Sequence, residues 1–131
     1  FAKLIMINVG EEVKKIIQID MLKSFIKADT EIIENKHKIA GKYIRACEKY
    51  GWEFIHPTSN GQRSNLYKFI LLSRASKPDS DFSQIKTRTS SVYDYALGLD
   101  PNEVSKRHIC LPIWYKLEEA SVQKVLNELQ C

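Results

Sequence analysis

The last quarter of the chain constrains the fold most. His108 to Cys131 reads HICLPIWYKLEEASVQKVLNELQC. It opens on a short apolar run, Ile109-Cys110-Leu111, which Pro112 closes. Proline has no N–H to give a ladder, so it suits the edge or the end of a strand and not a central position. Trp114 and Tyr115 lead into a helix. Within it Val122, Val125, Leu126 and Leu129 recur at i, i+3, i+4 and i+7, which is one apolar stripe. Glu118 and Glu119 stand in its first turn, where the helix dipole favours negative charge. A strand followed by a terminal amphipathic helix must dock on a surface, and the rest of the chain has to supply it.

At 131 residues the chain is expected to form a single small domain, 1–131, with 1–10 as a linker or remnant. Phe1 stands where a start methionine would, so a fragment or a processed product is expected. Phe1 to Val9 is apolar but far short of the roughly 20 residues that a membrane span needs, and it lacks the layout of a secretory signal. No membrane partner and a cytoplasmic location are expected. The formal charge of +4 is mild and the basic residues are mixed with acidic ones. That balance permits an anionic ligand and gives no argument for nucleic acid. Cys47, Cys110 and Cys131 are far apart and lack metal-site spacing, so reduced thiols and no metal site are expected.

From Glu11 to Tyr50 there is no proline, and helix formers dominate. Val13, Ile16, Ile17, Met21, Phe25 and Ile26 keep helical spacing, and Ile32, Ile33, Ile39, Ala40, Tyr43, Ile44 and Cys47 continue it. Asp29 and Thr30 allow either a second helix capped there or one helix with a bend. Lys38, Lys42 and Arg45 take the polar face, and Gly51 is the natural stop. Such a length of amphipathic helix needs a large partner surface.

Trp52 to Ile55 reads as a short strand. His56 to Gly61 is turn chemistry, with Asn60-Gly61 its strongest signal. Asn65 to Ser73, NLYKFILLS, is an apolar run expected to be the central strand. Ser76 to Ser83 reads as a loop. Ile85 to Ser90 alternates and is β-branched, so a third strand is expected there, with Lys86 and Arg88 on one face. Ser91 to Arg107 is irregular, with a turn of helix near Asn102 to Ser105. The order predicts an α+β fold. A long N-terminal helix or helix pair and a C-terminal helix pack on a small, mainly antiparallel sheet.

Few residues announce chemistry. His37 and His56 are expected to be solvated, and His108 flanks the closing strand. Cys47 and Cys110 are expected in the core, with no base nearby in sequence to make either a nucleophile. Tyr93-Asp94-Tyr95 admits two readings, packing of a loop with a solvated Asp94, or hydroxyls and a carboxylate facing a polar ligand. Lys86, Arg88, Lys106 and Arg107 can meet phosphate or stand on a solvated face.

The order of elements and several words in it resemble the small C-terminal domain of the DegT-like sugar aminotransferases, pyridoxal-phosphate enzymes of the aspartate-aminotransferase fold. IQIDMLKSFIKADTEIIENKHKIAGKY, Ile17 to Tyr43, is similar to the family's long helix. IKTRTSSVYDY, Ile85 to Tyr95, is similar to the segment carrying a substrate-facing tyrosine. CLPIWYKLEEASVQKVLNEL is similar to the closing strand, its Leu-Pro and the last helix. The resemblance implies the small domain of an aminotransferase acting on a keto-sugar nucleotide, inactive alone. Its Schiff-base lysine and most of the pyridoxal-phosphate site would lie in a large domain of the same chain, outside these residues, and the complete protein would be a homodimer. No catalytic residue is expected here; Lys86, Arg88, Tyr93 and Tyr95 would face the substrate. The family's Asn-Tyr-Arg segment is absent near Glu11 to Val13, and its His is absent after Tyr95. Only Lys77 to Gln84 separates the central run from the next strand, where the family has a helix. The alternative is a non-catalytic α+β interaction module of the same shape.

Overall fold

The computed structural model describes residues 11–73, 78–90 and 104–130. Contacts gather into two compact units, Phe1–Ile32 and Ile33–Cys131.

The first helix, α1, runs Glu11–Tyr50. It is one helix, not a capped pair: the Thr30 hydroxyl donates back to the carbonyl of Ile26 at 2.8 Å, inside the helix, instead of capping a new one. In the Phe1–Ile32 unit its side chains Val13, Ile16, Ile19, Leu22, Phe25 and Ile26 are exposed, Phe25 to 65%. Helical propensity and periodicity form the helix there without a covered face among the unit's described residues.

In the second unit α1 stops at Gly51, whose φ of +76° is the left-handed conformation that glycine tolerates. The Trp52 N–H then closes on the carbonyl of Cys47 at 2.9 Å. Strand β1 is Glu53–Phe54. A small hairpin follows, β2 at Thr58–Ser59 and β3 at Gln62–Arg63. Asn60 and Gly61, at φ of +52° and +75°, make its turn, the geometry that Asn-Gly favours. Strand β4 is Phe69–Leu72, helix α2 Pro78–Gln84, helix α3 Val104–Arg107, strand β5 His108–Leu111 and helix α4 Glu119–Leu129.

The sheet order is β1-β4-β5, antiparallel throughout. The central strand is therefore within Asn65 to Ser73 as expected, but shorter: Leu66 adopts φ +53° and breaks the extended chain ahead of Phe69. The expected loop at Ser76 to Ser83 contains α2, which Pro78 opens from the first position, where proline is tolerated. The expected strand at Ile85 to Ser90 is reduced to one bridge, Thr89 to Cys110. β-Branched composition there serves a turn leaving α2, so Lys86 and Arg88 do not alternate along a strand. The helical turn expected near Asn102 to Ser105 is observed at Val104–Arg107.

Phe69 pairs with Leu111 and Leu71 with Ile109. These four side chains meet Ile39, Ala40, Tyr43 and Cys47 of α1 and Val122, Val125 and Leu129 of α4. The terminal helix thus docks on the sheet through its predicted stripe, with Leu126 at the rim. Each large apolar side chain buried this way stabilises the fold by about 1.5–3 kcal/mol. Two polar tips fix the helices over the sheet. The buried Tyr43 hydroxyl donates to the Pro112 carbonyl at 2.7 Å, and the Trp52 indole N–H donates to the Leu129 carbonyl at 2.9 Å, satisfying one of the open carbonyls at the end of α4. Ile70, Leu72 and Cys110 are buried as a second cluster from the other set of alternating positions.

Candidate functional site

A groove of about 480 Å³ opens beside β4, lined by Ile55 to Pro57 and Ser64 to Ile70. Its floor depends on the turn at Leu66. The Leu66 side chain is fully buried while its backbone holds a left-handed φ of +53°, a conformation that costs a non-glycine residue about 1–3 kcal/mol. Two local hydrogen bonds offset that cost. Ser64 Oγ accepts the N–H of Leu66 at 3.0 Å, and Asn65 Oδ1 accepts the N–H of Tyr67 at 3.3 Å. The helix α1 steadies the same loop from outside: the His37 Nε2–H donates to the Ser64 carbonyl at 2.8 Å, and Arg63 pairs with Glu34 at 2.5 Å. The Arg63 guanidinium, by its hydrogen bond and its charge, holds the Glu34 carboxyl below the usual value. His37 is thereby half-buried and engaged, where the sequence suggested a solvated ring.

The turn lifts Tyr67 to the rim, 72% exposed, and sets Lys68 half-buried in the wall. The Lys68 amine donates to Thr89 Oγ1 at 3.1 Å. That bond ties the groove to the segment read from sequence as substrate-facing. Thr89 in turn gives its N–H to the Cys110 carbonyl at 2.8 Å. One residue earlier, Arg88 folds back: its Nη1 donates to the carbonyls of Phe82 and Ile85 at 2.5 and 3.1 Å, closing the end of α2. Glu128 on α4 accepts the N–H and hydroxyl of Thr87 at 3.0 and 2.5 Å, and its carbonyl accepts from Gln84 at 2.7 Å. Lys86 is exposed. Tyr93 and Tyr95 lie outside the described residues. Of the four residues singled out from sequence, the structure brings Lys86 and Arg88 onto one tight turn. It also adds Lys68 and His56, which sequence reasoning assigned to a strand and a turn. The available signal was a single lysine inside an otherwise apolar run.

A second, shallower depression of about 360 Å³ lies between α1 and α4, lined in part by Lys42, Arg45 and Lys49. Lys42 there pairs with Glu119 at 3.4 Å. Neither buried thiol is set up as a nucleophile. Burial, with the charge of Glu48, pushes Cys47 up to about 12, so it stays protonated at neutral pH. Cys110 is buried in the second cluster. No group of side chains among the described residues has the makings of a metal site, and no described helix is long and apolar enough to cross a membrane.

No family model matches the chain, and no curated protein matches it in sequence. Among solved structures it is similar to the aminotransferase TlmJ from Streptoalloteichus hindustanus, with a TM-score of 0.62 at 18% identity. The likeness covers 80% of this chain and 32% of that one, so the chain spans about a third of the protein it resembles. A likeness at this identity shows the fold: this chain shares the architecture of a portion of an aminotransferase.

Proposed function

We propose that the chain is the small C-terminal domain of a pyridoxal-phosphate-dependent aminotransferase of the DegT-like kind, working on a keto-sugar nucleotide in the cytoplasm. The observation that carries this reading is the likeness to part of an aminotransferase structure, joined to the succession of long helix, small antiparallel sheet and closing Leu-Pro strand and helix. The cofactor would form a Schiff base with a lysine and hold its phosphate in a cup of donors. The described residues do not fit that demand, because every described lysine is exposed or half-buried on the surface. The lysine and the phosphate cup are assigned to a large domain of the same polypeptide, and the complete protein to a homodimer.

In this reading the turn of Lys86 and Arg88, with Tyr93 and Tyr95, borders the substrate. Arg88 would offer phosphate the part of its guanidinium that does not close α2, since Nη1 is already given to the carbonyls of Phe82 and Ile85. The test is kinetic, on the protein from the complete reading frame. Tyr93→Phe should lower kcat/KM by about 1–3 kcal/mol of transition-state stabilisation at unchanged melting temperature. Absence of transamination by that protein would defeat the enzyme reading. The folding back of Arg88 favours the second reading, a non-catalytic module in which this turn is scaffold, and wild-type kinetics from both Arg88→Ala and Tyr93→Phe would support it.

A further inference from the structure

The depression between α1 and α4 has a regular construction. The two helices run parallel at one register: Lys42 meets Glu119 and Trp52 meets Leu129, 77 residues apart in both cases. Val122, Val125 and Leu129 turn onto the core with Ile39, Tyr43 and Cys47. The outer sides of the helices leave a furrow of about 360 Å³ between them. Its floor is Ala46 and Leu126, both partly buried against the core. On the α1 side stand Lys42, Arg45 and Lys49, at i, i+3 and i+7, a span of about 10 Å along the helix. On the α4 side stand Gln123, Asn127 and Gln130, at i, i+4 and i+7, over the same span. A cationic rail and an amide rail of equal length therefore flank an apolar floor.

The cations are poorly compensated. No acidic residue lines the furrow. Lys42 pairs with Glu119 at 3.4 Å, but the Glu119 side chain is 88% exposed, and such a surface pair is weak and exchanges readily. Arg45 and Lys49 are exposed and form no ion pair among the described residues. Arg45 leans back along α1, with its Nη1 3.6 Å from where a side chain at Gly41 would begin. Like charges one helical turn apart repel, and carboxylates set among them relieve that repulsion. The helix dipoles order the furrow. α4 begins beside Lys42, whereas both helices end near Lys49 and Gln130, so the Lys42–Arg45 half favours an anion more. A helix laid lengthwise suits this surface: it presents acidic side chains at i, i+3 and i+7 with the same rise, and an apolar side chain between them for the floor. A flexible polyanion would use the cations and leave the floor unfilled.

We propose that this furrow docks an acidic helix of a partner protein, with its carboxylates along Lys42, Arg45 and Lys49 and its apolar edge on Ala46 and Leu126. Arg45 is the principal contact, because it carries no carboxylate and stands in the half that the dipoles favour. The furrow belongs to α1 and α4 and not to the turn of Lys86 and Arg88, so the proposal goes beyond the aminotransferase reading and does not depend on it.

The test is fluorescence anisotropy of labelled peptides titrated with the 131-residue chain at low salt. Two peptides of about 20 residues, long enough to form a helix, share one composition. The first carries glutamates at i, i+3 and i+7 with leucine on the same face, and the second scatters them round the helix. The first should bind saturably and the second more weakly. Arg45→Gln should weaken binding of the first about fivefold, and Lys49→Gln or Leu126→Gln about two- to threefold. Glu119→Gln frees Lys42 and should tighten binding about twofold. Lys124→Gln removes an exposed charge of α4 that does not line the furrow, and should bind as wild type. Arg45 and Glu119 are exposed, so their variants remain informative if Leu126→Gln fails to fold. Absence of saturable binding by a folded chain would overturn the proposal. So would unchanged affinity in Arg45→Gln, or a loss in Lys124→Gln equal to that in Arg45→Gln. Equal affinity for the two peptides, or tighter binding of short heparin chains than of the first peptide, would make this a general cationic face and end the assignment to a helix.

Discussion

Tyr43→Phe is the sharpest test of how the helices are held over the sheet. The wild-type ring is fully buried and meets Phe69 edge-on, with centroids 5.4 Å apart at 71°. Its hydroxyl donates to the Pro112 carbonyl at 2.7 Å, at the point where β5 ends. Phenylalanine keeps the ring contact and removes only the donor. The buried Pro112 carbonyl then loses this partner, and the combined cost is about 1–3 kcal/mol. For a domain the size of the Ile33–Cys131 unit, about 2 kcal/mol lowers Tm by roughly 8–16 °C. Tyr43→Leu should cost about 1 kcal/mol more through loss of the aromatic pair. Urea unfolding followed by the fluorescence of the buried Trp52 measures both. Alkaline pH gives an independent check. Burial raises the Tyr43 phenol above its ordinary value of 10.0. The folded state keeps it neutral while the unfolded chain ionises it, so its contribution is full below pH 10 and is lost as pH rises beyond it. The gap between wild type and Tyr43→Phe should therefore narrow above pH 10. Equal midpoints at pH 7, or a gap that widens in alkali, would refute the placement of this hydroxyl.

The remaining expectations are more direct. The Cys47 thiol, raised by burial to about 12 from an ordinary 9.0, makes the fold lose stability as pH rises from 9 towards 12; Cys47→Ala should remove up to about 1.4 kcal/mol per pH unit of that slope, read from Tm against pH. Val125→Asp places a charge in the centre of the core and should cost several kcal/mol, whereas Leu126→Asp at the rim costs less; equal melting of Val125→Asp and wild type would rule out the docking of α4 on the sheet. Mixed with pyridoxal phosphate and reduced with borohydride, this chain should show weak labelling scattered over surface lysines, and stoichiometric labelling of one lysine would contradict the assignment of the cofactor site to another domain.

The sequence carried the fold wherever a pattern spanned several turns or a whole strand. The stripe Val122, Val125, Leu129 and the stripe Ile39, Tyr43, Cys47 both reappear as buried faces, because a repeat along a long helix has one geometric solution. Gly51 and Asn60-Gly61 were legible for the same reason: positive φ is accessible to few residues. Short elements were not. The segment PDSDFSQ reads as polar loop, yet it forms α2, where Pro78 opens the helix and Arg88 closes its far end from outside the helical window. The run at Ile85 to Ser90 has strand composition, but Glu128, distant in sequence, takes the Thr87 N–H and hydroxyl and holds the chain in a turn. Local propensity lost there to a tertiary hydrogen bond.

The site was less legible than the fold, and the reason lies in Leu66. A leucine with positive φ has no sequence signature of its own, since the residue type argues against the conformation. Its causes are its neighbours, Ser64 and Asn65, whose short side chains accept backbone N–H groups two residues on. That turn changes the meaning of the next residues. In a strand running from Asn65, Lys68 would be one more alternating side chain. Displaced by the turn, it becomes a half-buried cation in a wall without carboxylates, bonded to Thr89. The same turn exposes the Tyr67 ring beside it. The chemistry of this surface therefore rests on a backbone conformation that two hydrogen bonds maintain. Changing Ser64 and Asn65 together to alanine would remove both acceptors, and the physical argument requires that the groove lose its shape even though neither Lys68 nor Tyr67 has been altered.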